Sequence, residues 1–445
     1  MITVAEGRFA AGHLGELTQQ VPFEMVDAVL AEAGGVQRRV RDLPSRVVVY
    51  LLLAAGLFAE LGYQQVWARL VAGLDGVTMA APSSSALAQA RRRVGAAPLA
   101  ALFRLLAGPP AGALRWRGLL PCAIDGTSMF VPDSAANLAS YGRQSGIHGG
   151  SGYPMLRLVA VVTCGTRTII DAVFGPYRTG ELGYAPRLLG CLRPGMLLLA
   201  DRNFAVRDLI GQLARTGADL LVRCKNNRRV PPIERCPDGS WLTVLGGVTL
   251  RVIDAEIVVT TGGKRHTGRY RLLTTLTNHR AFPARELVAL YHQRWEIETC
   301  YLELKSTLLG GRVLRARTPV GINQEVHALL TAYQAVRLAM ADATTSRPAI
   351  SPDRASFTVA VHAARDQIVH AAGIIATTTI DLVGKIGQAV LSYPLPARRT
   401  RASPRVVKRA ISKHRAKGDI DRTNYQATIN INVLGTAELT TDPPP

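Results

Sequence analysis

The pattern of apolar and polar positions divides the chain into a helical beginning and a mixed middle. Up to residue 107, apolar residues recur at the spacing of amphipathic or buried helices. Helices are predicted at 23–33, 45–59, from Gly62 onward, and 83–95. A serine cap after Pro82 begins the last helix and Gly95 ends it. Residues 1–107 are therefore predicted to form an all-helical N-terminal domain.

After a Pro- and Gly-rich linker around 108–120, short apolar runs typical of strands alternate with helical segments. Strands are predicted at 119–124, 156–164, 168–174, 196–200 and 219–224, with helices at 180–192 and 205–216. This order of three strands, helix, strand, helix and strand indicates an α/β domain over residues 119–345.

A segment of different character interrupts this domain at about 225–280. It begins with many turn residues. Residues 248–261 and 269–276 then alternate between apolar and polar side chains or are rich in β-branched residues. A Gly-containing stretch between these two runs is typical of a hairpin turn. The pattern predicts a β-rich insertion within the α/β domain.

A helix predicted at 324–342 is followed by a helical C-terminal region at 346–397. Residues 398–445 are predicted to be a basic, mobile tail, because 398–417 hold nine Lys and Arg and no acidic residue. Such a run either lies on DNA phosphates or only keeps the protein soluble, and the pattern leaves both interpretations open.

One long amphipathic helix, predicted at 285–309, carries four functional groups on one face. The four are Tyr291, Arg294, Glu298 and Lys305, and the steps between them, three, four and seven residues, keep them on one stripe. The apolar face holds Leu287, Leu290, Ile297, Tyr301 and Leu304. A solvated helix with ion pairs four residues apart explains the stripe. A surface where a carboxylate binds metal and cations bind phosphates explains it as well.

Two aspartates occupy the predicted ends of apolar strands. Asp125 follows the strand at 119–124 in the context Ile-Asp-Gly-Thr, and Asp201 follows 196–200 in Ala-Asp-Arg-Asn-Phe. A carboxylate at such a point is accessible but held by rigid backbone, as metal geometry requires. An isolated aspartate after a strand is more often a turn or cap residue.

The charge of the chain narrows the choice of partner. The formal net charge is +21, which favours a polyanion such as DNA but does not separate an enzyme from a passive binder. The six cysteines form no C-x-x-C pair, so we expect neither zinc nor disulfides. The longest apolar run, 47–59, is too short to span a membrane. Together with the lack of a signal-peptide pattern, these features favour a reducing cytoplasm and no membrane partner.

The motifs together resemble the DDE transposases of the insertion-sequence-four family. The spacing Tyr-(2)-Arg-(3)-Glu-(6)-Lys is the signature of that family, and the two aspartate contexts match its other acids, over roughly residues 20–345. The resemblance implies a ribonuclease-H-like core in which Asp125, Asp201 and Glu298 are the catalytic residues and metal ligands. It also implies two Mg²⁺ ions, replaceable by Mn²⁺, with Asp125 bridging them.

The same resemblance implies what the remaining motif residues and the protein do. Tyr291, Arg294 and Lys305 are expected to contact DNA phosphates near the cut end. The expected function is cut-and-paste transposition: binding of terminal inverted repeats, cleavage, and transfer to target DNA, by a homodimer at the bacterial nucleoid. A flipped base accompanies one such route, and Trp241 is a candidate to stack on it, although a core role is favoured. Trp295 is interpreted as packing.

The helix at 83–95 is the candidate for recognition of the DNA ends. Its exposed side is predicted to carry Gln89, Arg91, Arg92 and Arg93, which suit phosphates and base edges. The alternative is a solvated helix end whose arginines favour the helix dipole. The resemblance favours DNA, because the family has a helical N-terminal domain of this kind.

Two other functions stay open. One is a metal-dependent nuclease that does not transfer strands. The other is a DNA-binding repressor derived from a transposase, in which the acids are unused. All three acids and the full Tyr-Arg-Glu-Lys set are present, which argues against the repressor.

Overall fold

The computed structural model describes residues 2–3, 8–36, 41–144, 151–261, 264–371, 383–396, 401–402 and 425–435. The N-terminal elements are β1 Ile2–Thr3, β2 Phe9–Ala10, α1 Phe23–Glu32, α2 Ser45–Leu57, α3 Tyr63–Val71, α4 Ser84–Val94 and α5 Ala97–Leu106. The predicted caps of α4 are found: the Ser83 side chain accepts from Ala86 N, and Gly95 ends the helix at φ 69°. Almost all of α2 is buried, as its continuous apolar run predicts.

The next elements form an α/β core that contains the strands predicted from the sequence. They are β3 Leu120–Phe130, α6 Ala135–Tyr141, β4 Met155–Thr163, β5 Ile169–Pro176, α7 Gly180–Tyr184, β6 Met196–Ala200, α8 Arg207–Ala214 and β7 Asp219–Cys224. The helix α6 was not predicted, and the helix predicted at 180–192 is an α-helix only over α7, followed by a 3-10 helix at Ala185–Cys191. β4 pairs antiparallel with both β3 and β5. On the other side of β3, β6 pairs parallel with β3, and β7 pairs parallel with β6. The strand order 5-4-3-6-7 is the ribonuclease-H-like arrangement, so the predicted fold class is confirmed.

The segment predicted as a β-rich insertion extends this same sheet. Its strands are β8 Glu234–Arg235, β9 Trp241–Leu245, β10 Val248–Thr261 and β11 Lys264–Thr274. β11 pairs antiparallel with β7, and β10 pairs with both β9 and β11. The hairpin predicted between residues 261 and 269 is therefore found, with β11 beginning five residues earlier than the sequence pattern indicated.

The prediction of one continuous helix at 285–309 is wrong. The segment divides into α9 Ala284–Tyr291, a 3-10 turn His292–Arg294, α10 Trp295–Leu302 and a π turn Glu303–Leu308. In the π turn, Leu309 N donates to Leu304 O, five residues back. The wider turn allows Glu303 to face buried arginines while Leu304 and Leu308 still reach the core. All five apolar-face residues predicted from the pattern are buried.

The last elements are α11 Pro319–Ser346, α12 Phe357–Val369, α13 Gly384–Ser392, β12 Arg401–Ala402 and β13 Tyr425–Val433. β13 pairs antiparallel with β10, so residues 425–433 belong to the sheet. The expectation of a mobile tail is wrong for these residues, because alternate apolar side chains such as Ile431 and Val433 pack on the core. Most of the basic run 398–417 lies outside the described residues.

The helices before and after the sheet share one hydrophobic core. α2 and α5 pack against α11, which is buried along most of its length. A Cβ added at Gly56 of α2 would lie 3.2 Å from the Ala332 Cβ of α11, so glycine permits this close approach. Residues 1–107 alone would therefore expose the apolar surface of α2. Within the described part of the chain, no helix is both long and apolar enough to cross a bilayer.

Candidate active site

Asp125 lies inside β3, at the point where pairing on one side stops. The parallel partner β6 ends opposite Ile124, whereas the antiparallel partner β4 continues to pair as far as Phe130. The prediction that the strand ends at Asp125 is therefore wrong. The pairing with β4 keeps the strand extended beyond Asp125. Because β6 does not pair with Asp125, the carboxylate is accessible where the parallel pairing ends.

Asp201 directly follows β6, as predicted, and caps the short 3-10 turn Arg202–Phe204. Its Oδ1 accepts a hydrogen bond from Arg202 N at 2.6 Å. The cap interpretation is thus correct, and it leaves Oδ2 available for a further contact. Because β6 is the parallel neighbour of β3, Asp201 and Asp125 follow paired positions of adjacent strands.

Arg294 joins two of the predicted acids. Its Nη1 donates to Asp125 Oδ2 at 3.1 Å, and its Nη2 donates to Glu298 Oε1 at 3.1 Å. Burial alone would lower the pKa of Arg294, but the nearby Tyr291, Asp125 and Glu298 raise it above its ordinary value. The helix signature therefore meets the sheet at Asp125, with a cation between the carboxylates.

The other two signature residues also reach the core strands. Tyr291 OH donates to Ala200 O, next to Asp201, at 3.1 Å, and burial raises the pKa of this phenol. Lys305 Nζ donates to Thr127 Oγ1 at 3.2 Å, and burial lowers the pKa of this ammonium. Tyr291 is only 8% exposed, so in this structure its hydroxyl orients the helix on β6.

The electrostatics of Asp125 reflect a partly dry, acid-rich site. Burial raises the pKa of Asp125 to about 6, although Gly126 N and Arg294 favour the ionised form. The nearby Glu181 and Glu298 contribute to this increase in the pKa. Carboxyl groups whose pKa is shifted by burial and by neighbouring charges are concentrated at functional sites.

The donor set of this site fits a hard divalent cation. Three carboxylates offer the oxygen ligands that such cations prefer, and the buried negative charge at Asp125 is only partly neutralised by Arg294. The carboxylates are not preassembled: no group of three His, Cys, Asp or Glu side chains poised for a metal is found among the described residues. Arg294 holds Asp125 and Glu298 instead.

Two side chains that the sequence did not indicate as functional also position the site. Tyr301 OH donates to Asp125 O at 2.6 Å and accepts from Ala160 N at 3.1 Å, fastening α10 to β3 and β4. Glu181 packs beside Gly126. Tyr301 lies three residues after Glu298. Residues at this spacing are neighbours on a helix, so the sequence could have placed the Tyr301 hydroxyl at the site. Glu181 had no such signal.

The tryptophans near the site behave differently from one another. Trp295 is 52% exposed, with the Arg294 guanidinium 5.2 Å from its ring centroid, so its interpretation as packing is wrong. It follows Arg294 and therefore turns outward from the sheet. Trp241 is partly buried, and its Nε1 donates to Val230 O at 3.2 Å, which agrees with a core role.

In α4, only part of the predicted exposed side is exposed. Gln89, Arg92 and Arg93 face solvent, whereas Arg91 is half-buried with its guanidinium 3.7 Å from the Tyr63 ring centroid. The prediction for Arg91 is wrong because residue 91 lies one helical turn after the buried Leu87. The pKa of Arg93 is lowered, first by burial and then by the positive charge of Arg41.

Comparison with known proteins places the chain in a family. The family description "Insertion element 4 transposase N-terminal" matches residues 11–104, and "Transposase DDE domain" matches residues 116–335. The Putative transposase InsZ of Escherichia coli (strain K12) is 31% identical, over 45% of this chain and 68% of its own length. The chain belongs to the insertion-sequence-four family of DDE transposases.

A second relative of this transposase aligns over nearly the whole chain. The Transposase InsG for insertion sequence element IS4 of Escherichia coli (strain K12) is 28% identical, over 86% of this chain and 90% of its own. A cryo-EM structure of the piggyBac transposase synaptic complex with hairpin DNA covers 89% of this chain and 87% of its own, with 11% identity and a TM-score of 0.43. The match to the Transposase DDE domain and the alignment with InsG make the chain a DNA-binding, DNA-cleaving transposase that depends on a divalent metal.

Proposed function

We propose that this transposase acts by cut-and-paste: it binds the terminal inverted repeats of its element, cleaves them and transfers them to target DNA. The observation that carries the proposal is the meeting of Asp125, Glu298 and Arg294, with Asp201 on the neighbouring strand. Three carboxylates and a cation on rigid elements suit phosphodiester chemistry, in which charge neutralisation and positioning dominate.

Asp125, Asp201 and Glu298 would hold two Mg²⁺ ions, with Mn²⁺ as a substitute. When bound, such a pair supplies an activated oxygen nucleophile and stabilises the leaving oxygen. Arg294 holds Asp125 and Glu298 through both of its terminal nitrogens. On binding, it would redirect one nitrogen to a phosphate while keeping the other on a carboxylate.

The cations around the acids would orient the DNA end. Lys305 and Arg294 contribute positive charge beside the cleaved phosphate, and Tyr291, whose hydroxyl bonds Ala200 O, keeps their helix against β6. Further along the DNA, the exposed Gln89, Arg92 and Arg93 of α4 would contact the inverted repeat. Arg91 would support that helix from behind through Tyr63.

The protein would act as a homodimer that holds two ends, within the bacterial nucleoid. The net charge of +21 supports residence on DNA. It also supports a strong dependence of end binding on salt.

The test uses the full-length protein and a labelled duplex that carries the inverted repeat found beside its gene. We expect cutting at the repeat with Mg²⁺ or Mn²⁺, none with a chelator, and joining of the cut end to a supercoiled plasmid. Cutting without joining would favour a nuclease. Specific binding without cutting in either metal would favour a repressor and overturn the proposal.

A further inference from the structure

Glu181, at the start of α7, connects the turn after Asp201 to β4, the strand that pairs with the Asp125 strand β3. Its Oε1 accepts from Arg157 Nη1 at 2.9 Å, and its Oε2 accepts from Asn203 Nδ2 at 2.8 Å. Arg157 belongs to β4, and Asn203 belongs to the turn that Asp201 caps. One carboxylate thus ties the Asp201 turn to the strand that pairs with β3.

Glu181 also lies directly against the backbone that carries Asp125. A Cβ added at Gly126 would lie 2.4 Å from Glu181 Cγ and 2.6 Å from its Oε1, so any residue larger than glycine would displace Glu181. Consecutive residues of a strand face opposite sides. Glu181 therefore supports β3 on one face, and the Asp125 carboxylate, which Arg294 binds, lies on the other face.

The arginine partner of Glu181 is itself held in place. Arg157 is opposite Ser128 in the β3–β4 register, and its guanidinium lies 4.3 Å from the Tyr177 ring centroid. The side chains of Arg157 and Glu181 are 16% and 19% exposed, so water screens their ion pair much less than a surface pair. The Arg157 end of the link is therefore protected from water, whereas the hydrogen bond from Asn203 to Glu181 lies at the surface.

We propose that Glu181 is a positioning residue for metal-dependent cleavage, which fixes the Asp201 turn against the Asp125 strand without itself touching metal or DNA. The inference rests on the proposed function, because it assumes that Asp125 and Asp201 share a metal site. Groups that orient metal ligands from behind cost roughly 10–100-fold in metal affinity or activity when they are lost. A loss of that size is expected here.

A pair of substitutions tests the link without emptying the site. Glu181→Gln keeps the shape of the side chain and removes its charge, and the Asn203 amide can turn over so that its oxygen accepts from the new amide nitrogen. Asn203→Asp alone places two carboxylates against each other. Together, Glu181→Gln and Asn203→Asp restore a donor facing an acceptor at both ends, with the net charge unchanged. The double variant therefore isolates the link itself.

The experiment measures Mn²⁺ binding by EPR to the full-length protein bound to a pre-cut end duplex, with the Asp125→Ala complex as background. We expect Asn203→Asp to weaken Mn²⁺ binding and slow cleavage about 10-fold or more, and Glu181→Gln, which can keep both hydrogen bonds, to have a smaller effect. The double variant should recover most of both. End binding in a chelator should stay within about 2-fold of wild type in all three, since no proposed DNA contact is changed.

A matched control and the wild type separate the possible failures. Glu60→Gln removes one partner of the Arg365 pair, which is 3.3 Å long and lies outside the site, and should change neither measurement. Wild-type Mn²⁺ affinity in the Asn203→Asp variant, or a double variant no better than Asn203→Asp, would overturn the positioning role alone. A wild type that binds no Mn²⁺ above background and does not cut would overturn the proposed function, and the inference with it.

Discussion

Lys305 Nζ lies 3.2 Å from Thr127 Oγ1, and Thr127 is two residues beyond Asp125 on the same face of β3. The ammonium is therefore fixed beside the acids although it cannot bind a metal. We predict that Lys305→Ala weakens binding to pre-cut ends and makes the salt slope shallower by about one unit, as for one lost phosphate contact. A titration of end affinity across a salt series measures both.

Lys305→Arg is the matched variant, since it keeps the charge. It should retain the wild-type salt slope even if affinity falls slightly. Equal slopes in wild type and Lys305→Ala would mean that Lys305 only stabilises the strand through Thr127, and the motif would lose a member.

Removal of a single acid should separate cutting from binding. We predict that Asp125→Ala, Asp201→Ala and Glu298→Ala each reduce cleavage to background while end affinity stays within a few-fold, because metal ligands are lost but phosphate contacts remain. Asp133→Ala, which breaks an exposed pair with Arg143, is the control and should cut normally. Wild-type cutting by Glu298→Ala would remove Glu298 from the catalytic set.

The sequence predicted the elements of the sheet well because their apolar runs are local. The strand β7 at Asp219–Cys224 and the end of β6 at Ala200 coincide with the predicted bounds. The continuation of β3 past Asp125 was not predictable in the same way. It depends on pairing with β4, about thirty residues later, rather than on the composition of the strand.

The parts of the site that were missed or wrong depend on residues that are distant in sequence. In the π turn, Glu303 faces the buried Arg167 and Arg337, which bind its carboxylate. Glu181 has meaning only beside Arg157 and Asn203, which the fold brings together. Periodicity within one helix contains no information about such partners.

The arginines of α4 should divide into a structural and a DNA-contacting class. We predict that Arg91→Ala lowers the free energy of unfolding by about 1 kcal/mol, because its cation–π contact with Tyr63 is lost. Arg92→Ala with Arg93→Ala should leave stability unchanged but weaken end binding, with a salt slope shallower by about two units. Urea denaturation and a competition shift assay measure these effects. Equal effects of all three on both would contradict the division.

The buried network behind α10 should be a major source of stability. Glu303 accepts from Arg167 Nη1 at 3.2 Å and from Tyr333 OH at 3.0 Å, and it also pairs with the buried Arg337. Glu303→Ala leaves two arginines without their shared partner, so we predict a loss of roughly 3–5 kcal/mol in urea denaturation. Glu286→Ala breaks the exposed pair with Arg117 and should cost less than about 1 kcal/mol. Similar costs for the two variants would contradict this.

The buried His13 should make stability depend on pH. Its Nε2 lies 2.8 Å from Leu70 O, its Nδ1 accepts from Gly15 N, and burial lowers its pKa to about 4. The unfolded chain binds the proton near pH 6.5, so between about 6.5 and 4 it holds more protons than the folded chain. The free energy of unfolding should therefore fall by up to about 3 kcal/mol as pH decreases through that window, and change little from this source below it.

Urea denaturation of wild type and His13→Gln across this pH range tests that dependence. The variant lacks the titrating ring, so any stability advantage of the wild type should shrink as pH falls from 6.5 to 4. His370→Gln changes an exposed histidine at the end of α12 and should follow the wild-type curve. If the difference between wild type and His13→Gln stays constant across the window, His13 takes up its proton equally in both states. The hydrogen bond from Gly15 N to Nδ1 would then not keep the ring neutral, and another group would have to explain any loss of stability in acid.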